Sequence, residues 1–278
     1  MKLSCLPVSY FSEIISGKLS VGQWAREAAG LGLDAIDLSM LFFKTRDPAY
    51  LRSMREEVEG TGLRVAVVNT YPDLTHPDPV ERKRQLSQLE ADIASSALVG
   101  AEMARVTAGQ AHPETGRADG INWAVEGLTR VADAAERHGV KLVYENHSKP
   151  GAWKYPDFCY PPDIFLEIAG RLAGTPVGIL FDTANTVAYG ADPLPVLRQV
   201  IGRVLCVHAA DTRARGIFEP VLLGTGAVPF EAIFSMLKSS GFEGWISIEE
   251  ASRLGPTGVA RAVEFVRRKW NLESSHET

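Results

Sequence analysis

KLVYE, residues 141–145, is a short apolar run that ends on an acid. The pattern returns as VGILFD (177–182), VLCVH (204–208) and WISIE (245–249). Each run reads as a buried β-strand, because strands covered on both faces are nearly continuous in apolar residues. Helix-like segments separate the runs, which predicts parallel strands joined by helical crossovers. If those strands close into a barrel, every C-terminal strand end opens onto one face, and that face carries the chemistry. Glu145, Asp182, His208 and Glu249 would then converge, although they span about a hundred residues of chain. Three carboxylates and an imidazole form a hard, oxygen-rich donor set that suits a divalent metal. A single strand-end acid reads better as a helix N-cap or a surface residue. Four such residues on the last four strands favour one shared site.

Working outward, KLSCLPV (2–8), LDAIDLS (33–39), LRVAVVNT (63–70) and EMARVTA (102–108) read as the first four strands. Helical segments are expected at 20–30, from Asp47-Pro48 to about Gly60, and at 79–100, 121–139, 163–173, 193–202, 229–241 and 256–270. Within 79–100, Leu86, Leu89, Ile93 and Ala97 recur at helical spacing along one face. Eight strands and eight helices in strict alternation predict an α/β fold, a single (β/α)8 barrel over residues 1–270. The polar segment 271–278 is expected to be a tail, which sets His276 apart from the site. His138, in the last turn of the fourth helix, reads as a surface residue.

Composition narrows the functional classes. The chain has 278 residues, is 45% hydrophobic and 23% charged, and carries a formal net charge of −5. That balance argues against a broad nucleic-acid surface, which needs clustered Lys and Arg. Cys5, Cys159 and Cys206 are scattered with no paired spacing, as in a reducing compartment. The first residues, MKLSCLPV, are interrupted by Pro7 and are too short for a secretory segment. No stretch reaches the roughly 18 apolar residues of a membrane span. A cytoplasmic location is therefore the expectation, with no membrane or nucleic-acid partner. A monomer and a homo-oligomer both stay open.

Two long loops fall on the predicted reactive face. Residues 146–162 hold Trp153, Tyr155, Phe158 and Tyr160, which suit either a wall against a sugar ring or a small apolar cluster of the loop's own. Residues 210–228 carry Arg213 and Arg215.

With GVKLVYENH (139–147), GILFDTAN (178–185), VLCVHAAD (204–211) and LLGTGAVPFEAIFSMLKSSGFEGWISIEE (222–250) in view, the chain resembles the sugar isomerase/epimerase superfamily of xylose-isomerase-like TIM barrels. That group includes ketose 3-epimerases, hydroxypyruvate isomerases, inosose dehydratases, 3-dehydroshikimate dehydratases and a class of AP endonucleases. The resemblance implies one divalent ion held by Glu145, Asp182, His208 and Glu249. Mn²⁺, Co²⁺ or Mg²⁺ is expected ahead of Zn²⁺ for so oxygen-rich a set. It also implies that Glu145 and Glu249 are the catalytic acid/base pair, acting on a ketose or related keto-polyol by α-proton abstraction through a metal-stabilised enediolate. Glu250, one residue on, should point the other way.

The departures from the family pattern matter as much. Where relatives show D-x-x-H, this chain has Asp182-Thr183-Ala184-Asn185. Earlier strand ends that hold histidines in the endonucleases are Asn69 and Thr107 here, so the ligands suffice for one metal and not three. His76 and His112 fall later, in loops, as substrate contacts or as solvated residues. The candidate substrate contacts are His147, Asn185, Arg213, Trp153 and Asn69, with Asn146, Lys149 and Arg215 as weaker ones. A metal-dependent isomerase or epimerase is the leading reading. A dehydratase of a keto-inositol, dehydroshikimate or 3-keto-sugar is the alternative on the same scaffold. A non-catalytic sugar-binding barrel and an endonuclease rank below both.

Overall fold

The computed structural model describes residues 1–272. Eight parallel strands form the barrel: β1 (Lys2–Leu6), β2 (Ala35–Ser39), β3 (Arg64–Asn69), β4 (Met103–Val106), β5 (Lys141–Glu145), β6 (Gly178–Asp182), β7 (Val204–Ala209) and β10 (Trp245–Glu249). Two further strands, β8 (Thr212–Ala214) and β9 (Ile217–Pro220), form a separate antiparallel hairpin. The barrel ladder runs β1-β10-β7-β6-β5-β4-β3-β2. Between its two ends, Asp34 donates its backbone N–H to Leu3 O (2.9 Å) and its carboxylate accepts from Leu3 N (2.9 Å). The barrel is thus nearly closed.

Helices cover the outside, and their starts are written in the sequence. Asp-Pro opens α3 (Pro48–Glu59), α4 (Pro79–Leu98) and α8 (Pro193–Val200), with Asp47, Asp78 and Asp192 each accepting a backbone N–H from the first turn. Proline suits that position because its missing N–H would have no partner there. A capping box between Ser20 and Gln23 opens α2 (Val21–Gly30). The remaining large helices are α5 (Arg117–Arg137), α6 (Pro162–Arg171), α9 (Phe230–Ser239) and α10 (Gly255–Leu272).

Four sequence expectations change. The alternation is not strict, because two short helices, α1 (Phe11–Ser16) and α7 (Asn185–Tyr189), are added. The segment 210–228 is not a plain loop but contains the β8–β9 hairpin. Helix α5 starts at Arg117 rather than 121, capped by Gly116, which has no side chain to signal a start. Helix α10 extends into the segment expected as a tail, and His276 lies outside the described residues.

Strand alternation sorts the side chains into layers. Leu142, Tyr144, Ile179, Phe181, Ile246 and Ile248 join the main core with the helices. Their neighbours Val143, Leu180, Cys206 and Trp245 form a separate cluster with Ala35, Val67 and Met103. This second cluster fills the lower barrel. Two residues further along each strand the interior turns polar, with Asp37, Asn69, Arg105, Glu145, Asp182, His208 and Ser247 all buried. An apolar floor under a polar layer is costly unless the polar groups are paired with one another or with an ion. The fold therefore concentrates charge at one end of its core.

Candidate metal centre

The polar layer brings four potential ligands together. Glu145, Asp182, His208 and Glu249 each offer a donor atom, and these atoms lie within 4.8 Å of one another. Ladder register sets the level, pairing Asp182 with His208 and His208 with Ser247. His208 Nδ1 lies 2.8 Å from Glu145 Oε1 and 3.3 Å from Glu249 Oε2. The side chains of Glu145 and His208 are each 1% exposed, while that of Glu249 is 29% exposed. The centre is closed on three sides and open on the side of Glu249, as a site with a free coordination position needs to be.

Neighbours surround three of the four. Asp182 Oδ1 accepts the N–H groups of Ala184 (2.8 Å) and Asn185 (2.6 Å), which ties down one carboxylate oxygen. Asn146 clamps the end of β6, its Oδ1 accepting from Asp182 N (2.7 Å) and its Nδ2 donating to Asp182 O (2.9 Å). Glu145 Oε2 lies 3.1 Å from Arg105 Nε. That N–H donates instead to Asn69 Oδ1 (2.9 Å), so Glu145 Oε2 is buried without a hydrogen-bond donor. Behind the imidazole, His208 Nε2 is 4.0 Å from Asp37 Oδ2, and Ser247 donates its hydroxyl to the same Asp37 oxygen. At that distance Asp37 acts on the imidazole through its charge and not through a hydrogen bond, and His208 Nε2 is buried without a partner.

The electrostatics fit a cation. Burial works against the Glu145 carboxylate, yet Arg105 and His208 outweigh it and hold the group at about 2. Burial would lower the His208 pKa, but Glu145 and Glu249 drive it well above the usual imidazole range. Burial, followed by the charges of Glu249 and Glu145, pushes the Asp182 carboxyl well up. Together the carboxylates draw positive charge to the point they share. A dication there would relieve Asp182 and give the orphaned Glu145 oxygen a partner. The residues present therefore fit a divalent metal.

The predicted substrate contacts separate. His147 and Asn185 line a cavity of about 70 Å³ beside Asp182 and Glu249, together with Lys149 and Phe218. His147 Nδ1 lies 3.3 Å from Asp157 Oδ2. Trp153 stands edge-on to His147, with ring centroids 6.2 Å apart, and faces a different cavity. Arg213 pairs with Glu219 (2.7 Å) in the hairpin and its side chain is 61% exposed, so it lies on the outer surface rather than on a cavity wall. Arg215 Nε likewise donates to Gly190 O (2.8 Å). Asn69 is fully buried, donating to Leu38 O (3.1 Å) and accepting from Arg105; it stands behind Glu145 and holds the arginine. The loop aromatics divide too. Trp153 and Tyr155 face a cavity, Phe158 is buried in the core, and Tyr160 packs on Tyr189. Glu250 is turned away and fully buried, bound to Ser252.

Sequence reading missed Arg105, Asp37 and Asp211. An arginine inside the apolar run EMARVTA was the available signal, since a charge in a strand interior needs a buried partner. The Asp211 carboxylate accepts N–H groups from Thr212 (2.9 Å), Gly224 (2.9 Å), Gly226 (2.9 Å) and Val228 (3.2 Å). It thereby folds the segment that carries Val221, a wall of the smaller cavity. Asp211→Asn turns one acceptor oxygen into a donor facing N–H groups. The expected loss of unfolding free energy is about 2–4 kcal/mol, read from urea melts. A loss below about 0.5 kcal/mol would show that these bonds are replaceable by water.

Comparison with known proteins agrees with this geometry. A sequence model described as xylose isomerase-like TIM barrel matches residues 25–269. An inosose dehydratase from Clostridium tetani (strain Massachusetts / E88) is 27% identical over 164 residues, covering 52% of this chain and 53% of that protein. The match spans about half the length of that relative. Among solved structures, a D-tagatose 3-epimerase-like protein superposes with a TM-score of 0.79 at 18% identity, over 100% of both chains. The IOLI protein, solved with a bound zinc atom, gives 0.78 at 19% identity over 98% of this chain and 99% of that one. At such identities the structural likeness speaks for the fold. The extent of the sequence match, over a barrel whose last four strands deliver one cluster of ligands, shows that the chain belongs to the xylose isomerase-like TIM barrel family.

Proposed function

We propose that this protein is a metal-dependent isomerase or epimerase that moves a proton at the carbon beside the ketone of a sugar or keto-polyol. The observation that carries the reading is the pair of glutamates against one imidazole, Glu145 at 2.8 Å and Glu249 at 3.3 Å from His208 Nδ1. Glu145, Asp182, His208 and Glu249 would hold a divalent ion, Mn²⁺, Co²⁺ or Mg²⁺ ahead of Zn²⁺. When bound, the ion supplies Lewis-acid polarisation of a ketone oxygen. The two glutamates differ in what they can do with a proton. Glu145 is fully enclosed, and against the effect of burial Arg105 and His208 hold its carboxyl below the usual range. Abstraction falls to Glu249, the partly exposed carboxylate of the two and the one that borders the small cavity. Glu145 is the second carboxylate within reach of the same point. Asp182, tied by the N–H groups of Ala184 and Asn185, and His208 hold the ion. His147 and Asn185 meet the rest of the reacting end.

Dehydration is the second reading, favoured by the inosose dehydratase relative. It shares the first proton transfer and adds expulsion of a hydroxyl, for which His147, 3.3 Å from Asp157, would supply the acid. Ketoses and keto-polyols incubated in D₂O with added Mn²⁺ test both readings by NMR. Deuterium at the α-carbon is expected, and the product tells epimer from alkene. If the Mn²⁺-loaded protein exchanges no α-hydrogen in any member of the panel, the proton-transfer reading fails.

A further inference from the structure

A second cavity, of about 630 Å³, opens where the loops after β3, β4 and β5 meet. The cavity beside the metal centre measures about 70 Å³, room for the reacting end of a ligand and little more. Small-molecule sites usually span about 300–1,000 Å³. The second cavity has room for a whole ring. Trp153 and Tyr71 link the two. Trp153 lines the larger cavity and touches His147 of the smaller one. The Tyr71 ring lies 4.8 Å from the Arg105 guanidinium, which pairs with Glu145.

The walls of this cavity are built rather than accidental. Gln110 ties three loops together. Its N and Nε2 donate to Asp73 Oδ1 and Oδ2, both at 2.9 Å. Its Oε1 accepts from Lys154 N (2.9 Å) and Tyr155 N (3.2 Å). Gly109 allows the approach: its φ is +126°, and a Cβ there would meet Thr75 Oγ1 at 2.4 Å.

The same bonds set the chemistry the cavity offers. His112 Nε2 lies 2.8 Å from the Asp73 Oδ2 carboxylate, which can only accept, so Nε2 carries a proton and the ring is held by Asp73. His76 Nδ1 accepts from Asp78 N (3.1 Å), so its Nε2 is a donor. The two imidazoles stand edge to face, 4.6 Å apart, and Tyr155 packs on His112 at 5.4 Å. The lining thus combines an imidazole donor, carboxylate acceptors and the rings of Trp153 and Tyr155. Hydroxyl groups both donate and accept, and the C–H faces of a sugar ring pack on aromatics. The carboxylates of Asp73, Glu81 and Glu114 on the same walls oppose an anionic ligand.

We propose that this cavity is a subsite for a second, unreactive sugar ring, so that the substrate class is a keto-sugar or keto-polyol bearing a glycosidically linked ring. The assignment rests on the reading that a keto-sugar reacts at the metal centre, because Trp153 then separates the reacting ring from its substituent. Energy from the remote ring is available to position the reacting carbon.

Binding tests this without turnover. The whole protein is titrated with methyl β-D-glucopyranoside, cellobiose and maltose at millimolar concentrations, by calorimetry and saturation-transfer NMR. At least one disaccharide should bind about tenfold or more tighter than the methyl glucoside. Trp153→Ala and His112→Ala should erase that gain, while Trp153→Tyr, which keeps a stacking ring, and Glu249→Gln should retain it. Equal affinity for one ring and two, a preference untouched by Trp153→Ala, or no binding of any of the three sugars overturns the subsite. The metal-centre reading stands or falls apart from it. A protein that prefers disaccharides through Trp153 but exchanges no α-hydrogen keeps the subsite and loses that reading. One that exchanges free ketoses and ignores the second ring does the reverse.

Discussion

Replacing Glu249 with Gln is expected to lower turnover by about 10²–10⁴-fold, the usual contribution of a positioned acid or base, while Mn²⁺ affinity falls far less. The substitution keeps the side chain's length and leaves one oxygen facing the cluster, but it removes the group able to take a proton. Glu145 is a poor substitute. Its side chain is 1% exposed and enclosed by His208 at 2.8 Å and Arg105 at 3.1 Å, whereas that of Glu249 is 29% exposed and borders the cavity. Solvent exchange of the substrate's α-hydrogen separates chemistry from binding. Wild type and Glu249→Gln exchanging at equal rates, with Mn²⁺ bound to both, would remove Glu249 from the proton-transfer step. A loss of Mn²⁺ binding as large as the loss of turnover would make it a ligand only.

The second large effect concerns the ion. Chelator-dialysed wild-type protein is expected to gain several degrees in Tm when Mn²⁺ is added. At a hundredfold excess over Kd, binding stabilises by about 2.7 kcal/mol, or about 5–10 °C for a barrel of this size. Asp182→Asn should abolish most of that gain. Its Oδ1 can still accept from Ala184 and Asn185, so the start of α7 keeps its anchor. The other carboxylate oxygen becomes an amide nitrogen, which cannot ligate a hard cation. Without added ion the variant should melt no lower than wild type, because burial and the charges of Glu249 and Glu145 already oppose the Asp182 carboxylate. The two melting curves, with and without Mn²⁺, decide the matter. An equal Mn²⁺ shift in both proteins would place the ion elsewhere.

Sequence alone carried the barrel and its four converging residues, and the reason is periodicity. Val143 and Glu145, Leu180 and Asp182, and Cys206 and His208 each stand two apart on one strand. A strand that places the first in the apolar floor must place the second in the layer above it. Helix starts were legible for a similar local reason, since Asp-Pro satisfies and shapes a first turn without help from the rest of the chain. What the sequence could not express was pairing across strands. Arg105 stands 40 residues before Glu145 in the chain, and only ladder register between β4 and β5 sets them 3.1 Å apart. Asn69 looked like an open strand end until Arg105 occupied it. The outward turn of Arg213 follows from the β8–β9 hairpin, whose fold depends on Asp211 collecting four backbone N–H groups from both sides of it. The cavity around His112 and Trp153 is likewise a product of three loops meeting at Gln110. Local chemistry is written along the chain, whereas a buried charge's partner and a loop's direction are settled only when distant segments close on one another, because both depend on desolvation that no single segment produces.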